Sequence, residues 1–363
     1  MKLQVTQENL AKALNSVARI ANTRNTLPIL ANVMLKTVGT RLTIAATNLD
    51  IAITQYIGSK VASEGSITVP ARLMQDFISS LPGGVIELSL EDNKLHITTE
   101  QYKSVINGVS AEEFPVMPAI SKGKTWYIAA KVLKHGLQQV LVAASSDEAR
   151  PVLTGLYMHT NAGRLYLAAT DSYRLAEKEL TKTTEDILLL VPANAMQELL
   201  RLIADHDQDV EVTHDDQQVL FKVGETELVT RLIEGSYPDY RKLIPKSFST
   251  KAVLKRSELV SITKVSSLFA RESAGSVTVK VDAEAKQISI RSIASQLGEN
   301  TASAEATIEG GGDITLNSRY LLDALGALDS EEVELCFNGK LEACVLRAAG
   351  KTDYTHLIMP LKS

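Results

Sequence analysis

The residues able to do chemistry are few and scattered. Gly123-Lys124-Thr125 ends like a phosphate-binding loop, but that motif requires a glycine five positions before Gly123, where Pro118 stands. The segment reads as a linker between domains. Gly310-Gly311-Gly312 has no lysine after it and leads into a strand-like stretch, so it reads as a flexible turn. The histidines, at 96, 135, 159, 206, 214 and 356, share no metal-ligand spacing. Asp205-His206-Asp207 has metal-binding residue types but reads as a solvated loop between a helix and a strand. No serine elbow, paired cysteine ligands or carboxylate-histidine helix motif occurs. The sequence therefore points to a non-catalytic protein without metal or cofactor.

The cysteines belong to the same picture. Cys336 and Cys344 flank Asn338-Gly339, a strong hairpin signal. A two-residue loop there would pair Cys336 with Leu341 and Cys344 with Val333. Side chains alternate across a strand, so the two thiols should face apart as apolar strand filler.

The elements that position these residues recur three times. Val69-Pro70-Ala71-Arg72-Leu73-Met74-Gln75-Asp76-Phe77 returns as Val191-Pro192-Ala193-Asn194-Ala195-Met196-Gln197-Glu198-Leu199, and more faintly from Leu316 to Ala324, at offsets of 122 and 125. Ala45-Ala46-Thr47-Asn48 returns as Ala168-Ala169-Thr170-Asp171 at an offset of 123. A hairpin pattern near Ile86 to Leu95 recurs near Val210 to Leu220 and Val333 to Leu341. Such a period is the length of a domain, long enough for each copy to bury a core. The expected division is 1–121, 122–246 and 247–363. Each copy shows an early amphipathic helix (Gln7 to Asn22, Ala129 to Ser145, Lys255 to Arg271), alternating strands, then a second helix after the Val-Pro or Leu-Asn pair. The fold class is α+β, with two helices per copy laid against antiparallel sheets.

Composition adds bounds. Hydrophobic residues make up 45% and charged residues 22% of the 363, as expected for a globular chain. No apolar run approaches the length of a membrane span, and the start at Met1 carries no export signal, so a cytoplasmic protein is expected. The formal net charge is −5, yet the six candidate helices together carry +5, leaving about −10 for the remainder. Solvated helix faces with paired charges explain part of this. The functional explanation is that the helices together face a polyanion.

The run from Arg24 to Asn32, the segment Ala168 to Leu175, Tyr237-Pro238-Asp239-Tyr240-Arg241 and Met359-Pro360-Leu361 resemble the bacterial sliding-clamp family, the beta subunits of DNA polymerase III. The resemblance spans Met1 to Ser363 in order and spacing. It implies a ring of two head-to-tail protomers, helices inside and sheets outside, enclosing duplex DNA and tethering polymerases. Twelve helices side by side at roughly 9 Å would leave an opening of about 24 Å, whereas six would leave only about 7 Å. Duplex DNA is roughly 20 Å across, so a ring around it requires two chains. The alternative is a three-domain scaffold that binds proteins without enclosing DNA.

The resemblance also implies sites. Arg24 and Arg72 match positions that touch DNA; helix charge adds Lys12, Lys131, Lys134, Arg256 and Lys264. Polymerases and the clamp loader would insert short linear peptides into a groove formed by Arg150, Leu153, Thr170, Ser172, Tyr173, Arg174, Leu175, Pro245, Asn317, Tyr320, Leu357, Met359, Pro360 and Leu361. Methionine and leucine suit variable side chains, and Arg150 and Arg174 could bond peptide carbonyls or carboxylates. The protomer contact would use Lys103, Ser104, Ile106, Leu268 and Phe269. Asp147, Pro151 and Val152 replace polar or aromatic DNA-contacting residues of related clamps, and Ser104 replaces an aromatic.

Overall fold

The computed structural model describes residues 1–21, 27–204, 206–296 and 298–361. Six helices stand where the repeats place them: α1 Gln7–Val17, α2 Ala71–Ser80, α3 Ala130–Val140, α4 Ala193–Leu202, α5 Arg256–Phe269 and α6 Ser318–Ala327. In α1, Thr6 caps the first turn by accepting from the Asn9 N–H, and Leu10, Ala13, Leu14 and Val17 form the buried stripe. The helix ends at Val17, short of the expected Asn22, which lies outside the described residues; Ala18 caps it with its N–H on the Leu14 carbonyl, and Ala18 and Ile20 are buried. With the observed bounds, Arg19, Lys255 and Arg271 lie outside the α-helices, Arg271 in a short 3-10 turn, and Asp205 lies outside the described residues. The helical surplus falls to +3. Among the described residues no helix is long and apolar enough to cross a membrane.

The three sequence repeats fold into two compact units, because strand pairing crosses the repeat boundaries. One unit comprises 1–131 and 198–232. It has a five-stranded sheet ordered Lys60–Ser63, Lys2–Thr6, Val85–Glu91, Lys94–Thr98, Lys103–Asn107. Its eight-stranded sheet runs from Lys124–Ala129 to Ser66–Pro70, joined at the centre by Ile51–Gly58 against Thr226–Arg231. All pairings are antiparallel, and α1 packs on Arg41–Thr47, Ile51–Gly58 and α2.

The other unit comprises 132–197 and 233–363. Its nine-stranded antiparallel sheet runs from Leu188–Pro192 to Thr307–Glu309. The join is Arg174–Lys182 against Tyr354–Ile358, with Leu175 opposite Leu357 and Arg174 opposite Ile358. A four-stranded sheet is ordered Gly298–Glu305, Gln287–Ala294, Ser276–Asp282, Gly312–Asn317, with α5 packed on its first two strands and on α6.

The expected pairing around the cysteines is corrected. Cys336 pairs with Val345 and Val333 with Ala348, so the loop is longer than two residues. Asn338 is drawn away from a tight turn: its side chain accepts from the Ser249 N–H at 2.7 Å and donates to the Ser247 carbonyl at 2.9 Å. The thiols still project to opposite faces, both buried and unbridged. Burial, then the Glu334 carboxylate, pushes the Cys336 thiol up to about 12.

Candidate functional site

The sheet join of the second unit gathers most of the residues singled out in the sequence. At its edge, residues 170–174 form a turn fixed by side chains. Thr170 Oγ1 accepts from the Ser172 N–H at 3.1 Å and donates to the Arg174 carbonyl at 2.6 Å. Asp171 Oδ1 accepts from the N–H groups of Tyr173 and Arg174, each at 2.9 Å. Ser172 sits at φ 78°, in the left-handed region. The first repeat contains the same turn: Thr47 bonds Leu49 N–H and Ile51 carbonyl, Asn48 Oδ1 accepts from Asp50 and Ile51, and Leu49 has φ 79°. A shared backbone frame thus displays Leu49 and Ile51 in one copy and Ser172 and Arg174 in the other. The turns differ at four positions, Asn48, Leu49, Asp50 and Ile51 against Asp171, Ser172, Tyr173 and Arg174, and the buried Ile51 gives way to a cation.

Around this turn the candidate residues converge. The exposed Arg150, just before a short 3-10 turn at Pro151–Thr154, donates from Nη1 to Ser172 Oγ at 3.0 Å. Leu153 donates its N–H to the Arg150 carbonyl at 2.9 Å and buries its side chain. The C-terminal tail is held by its backbone, Met359 N–H to the Tyr173 carbonyl and Leu361 N–H to the Thr315 carbonyl, each at 2.8 Å. Met359 is 36% exposed and Tyr173 63%, while Pro360 and Leu361 are half-buried. Beneath lie Leu175 and Leu357, packed with Ala168, Tyr240, Ala343 and Val345 and bordered by Tyr157, Tyr237, Ile244 and Phe248. Pro245 follows Ile244, half-buried.

Two candidates have structural occupations. Asn317 caps α6, accepting from the N–H groups of Arg319 and Tyr320 and donating to the Ala274 carbonyl at 3.1 Å. Arg174 differs from the expectation of a free donor. Its Nε lies 3.0 Å from Asp171 Oδ2, its Nη1 2.6 Å from Asp323 Oδ2, and its guanidinium stacks 4.4 Å from the Tyr320 ring centre.

Sequence reasoning missed the segment covering this floor. Tyr237 stacks on Tyr157 at 4.8 Å, and Arg241 lies over the Tyr166 ring at 4.2 Å while its Nε donates to Glu177 at 2.9 Å. The Tyr240 hydroxyl donates to Glu177 and lies 2.7 Å from His159 Nε2. Burial, then Glu177, raises the Tyr240 hydroxyl and keeps it protonated. The motif 237–241 was visible in the sequence, but alternation cannot show which sheet a linker crosses. Behind the join, Tyr354 donates to the Gln139 carbonyl at 3.1 Å, so His356 Nδ1, 2.8 Å away, is the donor to Tyr354. Its Nε2 has no partner among the described residues; burial, then Arg174, depresses the imidazole to about 3.

The basic candidates are spread over both units. Arg72 is exposed, with a single long contact of 4.0 Å to Asp76, and Lys131 and Lys264 are exposed. Lys12 is also exposed, and Lys134 is half-buried. Arg256 donates from Nη1 to the Leu325 carbonyl at 3.2 Å, placing its charge near the end of α6. Arg24 lies outside the described residues. Of the protomer-contact candidates, Lys103 and Ser104 lie on an edge strand, Ile106 is buried, Leu268 is 52% exposed and Phe269 half-buried. Val265 and Ile293 are also exposed apolar side chains, at 45% and 53%, and Gly298–Glu305 is a second unpaired edge. Exposure of an apolar residue cannot be read from a helical pattern alone.

Family models for the N-terminal, central and C-terminal domains of the DNA polymerase III beta subunit match residues 1–118, 127–239 and 241–362. The chain belongs to this family. A beta sliding clamp of Synechocystis sp. is 32% identical across all of this chain and 99% of its own length, and that of Staphylococcus aureus is 30% identical across the whole of both. Crystal structures of the Bacillus subtilis clamp (26% identity; all of this chain, 99% of that one) and of a Pseudomonas aeruginosa clamp bound to griselimycin (25%; all of both) superpose with TM-scores of 0.95. Membership makes the chain a DNA sliding-clamp subunit of the replication machinery, without catalysis of its own.

Proposed function

We propose that two copies join head to tail into a cytoplasmic ring that encloses duplex DNA, slides along it without sequence preference and tethers DNA polymerases and the clamp loader through short linear peptides. In this reading each protomer contributes three clamp domains, 1–121, 122–246 and 247–363. The observation that carries it is the chemistry of two of the free sheet edges. Lys103–Asn107 closes the five-stranded sheet and Gly298–Glu305 the four-stranded one, the first carrying Lys103, the second Glu305 together with Glu299, which pairs with Arg291. Edges of opposite charge on different parts of one chain suit a heterologous contact that closes on itself. Val265, Leu268, Phe269 and Ile293 supply apolar surface for the same contact.

The DNA contacts are Arg24, Arg72, Lys12, Lys131, Lys134, Arg256 and Lys264, loose and directed at phosphates, because enclosure rather than affinity retains the duplex. Peptides enter over Leu175 and Leu357, between the tail and Arg150, with Tyr173 and Met359 at the rim. Solution mass is a first test. Sedimentation at micromolar concentration should give about twice the chain's 39.4 kDa; a strict monomer would contradict the ring.

A further inference from the structure

The two arginines beside the groove hold their charge differently. Arg150 is exposed and has a neutral partner, Ser172, with no acidic partner among the described residues. The Arg174 side chain is only 11% exposed and bonds two carboxylates. Asp171 is committed to the turn, since its other oxygen accepts both the Tyr173 and Arg174 N–H groups. Asp323 has no such duty. It lies on the second turn of α6, 29% exposed at its side chain, and its contact with Arg174 spans 149 residues of sequence. Tyr320, one turn earlier on α6, lies over the same guanidinium. Helix α6 therefore supplies both the ring and the carboxylate that occupy Arg174.

We propose that Asp323 is a specificity-determining residue of the peptide groove: by sequestering Arg174 it keeps that cation from acting, beside Arg150, as a second receptor for an acidic side chain. This rests on the groove reading above. The arrangement fits peptides that bring apolar anchors and at most one carboxylate to the Arg150 side. Without Asp323, the Arg174 cation would be only partly compensated, and a second attraction for peptide carboxylates would appear on the α6 side. Asp323 acts through Arg174 and is a positioning residue that touches no peptide.

The test uses the full chain and two acetylated hexapeptides, identical but for Asp or Asn next to an adjacent Leu-Phe pair, measured by fluorescence anisotropy. The readout is the ratio of the two affinities, which a general loss of folding leaves alone because both peptides lose together. Asp323→Asn should shift the ratio toward the acidic peptide by about fivefold, the size of one unit charge acting across a partly exposed site, and high salt should erase the shift. With Arg174→Gln already in place, the same substitution should move the ratio less than twofold. An unchanged ratio in Asp323→Asn, or an equal shift in both backgrounds, overturns the assignment. If neither peptide binds the unsubstituted chain, the groove reading fails and this inference falls with it.

Discussion

Truncating Met359 and Leu361 to alanine isolates the apolar surface of the groove from the framework that carries it. Both residues are fixed by backbone hydrogen bonds, to the Tyr173 and Thr315 carbonyls, which the substitutions leave in place. Met359 is 36% exposed and Leu361 half-buried, so neither is a core residue whose loss opens a closed cavity. Each removed side chain forfeits roughly 1–2 kcal/mol of apolar contact with a bound peptide, a partial burial of surface at about 25 cal/mol per Å². Together they should weaken a peptide by about 30-fold or more, at about 1.4 kcal/mol per factor of ten. Anisotropy titration measures this, with sedimentation in parallel to show that the dimer persists. Unchanged peptide affinity in a folded, dimeric double variant would refute the placement of the groove.

Three further outcomes follow from particular contacts. His356 is neutral when folded, held to about 3, whereas unfolded it titrates near 6.5. Between those values the unfolded state binds the extra proton, so this contribution is intact above pH 6.5 and is lost as pH falls, by about 2 kcal/mol at pH 5. Urea unfolding at pH 8 and pH 5 should show a smaller acid loss in His356→Gln than in the parent; equal losses would remove His356 as the cause. Tyr240→Phe strips a donor from Glu177 and strands His159 Nε2, and should cost about 1–3 kcal/mol in the same assay; a neutral effect would show that the linker latch contributes nothing. Leu268→Glu places a charge on a half-exposed apolar patch and should weaken dimerisation at least tenfold by sedimentation, and an unaltered dimer would exclude this face.

The repeat made the helices legible because a 3.6-residue stripe such as Leu10, Leu14 and Val17 is local. It also located the corner at 170–174, since Thr170-Asp171 copies Thr47-Asn48 down to the same side-chain bonds. What could not be read was long-range. The joins pairing Ile51 with Thr230 and Leu175 with Leu357 cross repeat boundaries, so three copies fold as two units. Asp323 carried no sequence signal, because its partner is 149 residues away. The cysteine hairpin was misread for a related reason: Asn338 answers to Ser247 and Ser249, not to its own turn. Helix charge shrank from +5 to +3 because Lys255 is a cap of α5 and Arg19 and Arg271 lie beyond the ends of α1 and α5, where periodicity still runs on, and because Asp205 lies outside the described residues.

Encirclement is tested most directly on circular DNA. Protein loaded onto a nicked circle by a clamp loader should remain through a high-salt wash that strips electrostatic contacts, and should be lost when the circle is cut once to give free ends. Equal retention on circular and linear forms, or loss of both in salt, would show that the chain holds DNA by its surface and not by topology.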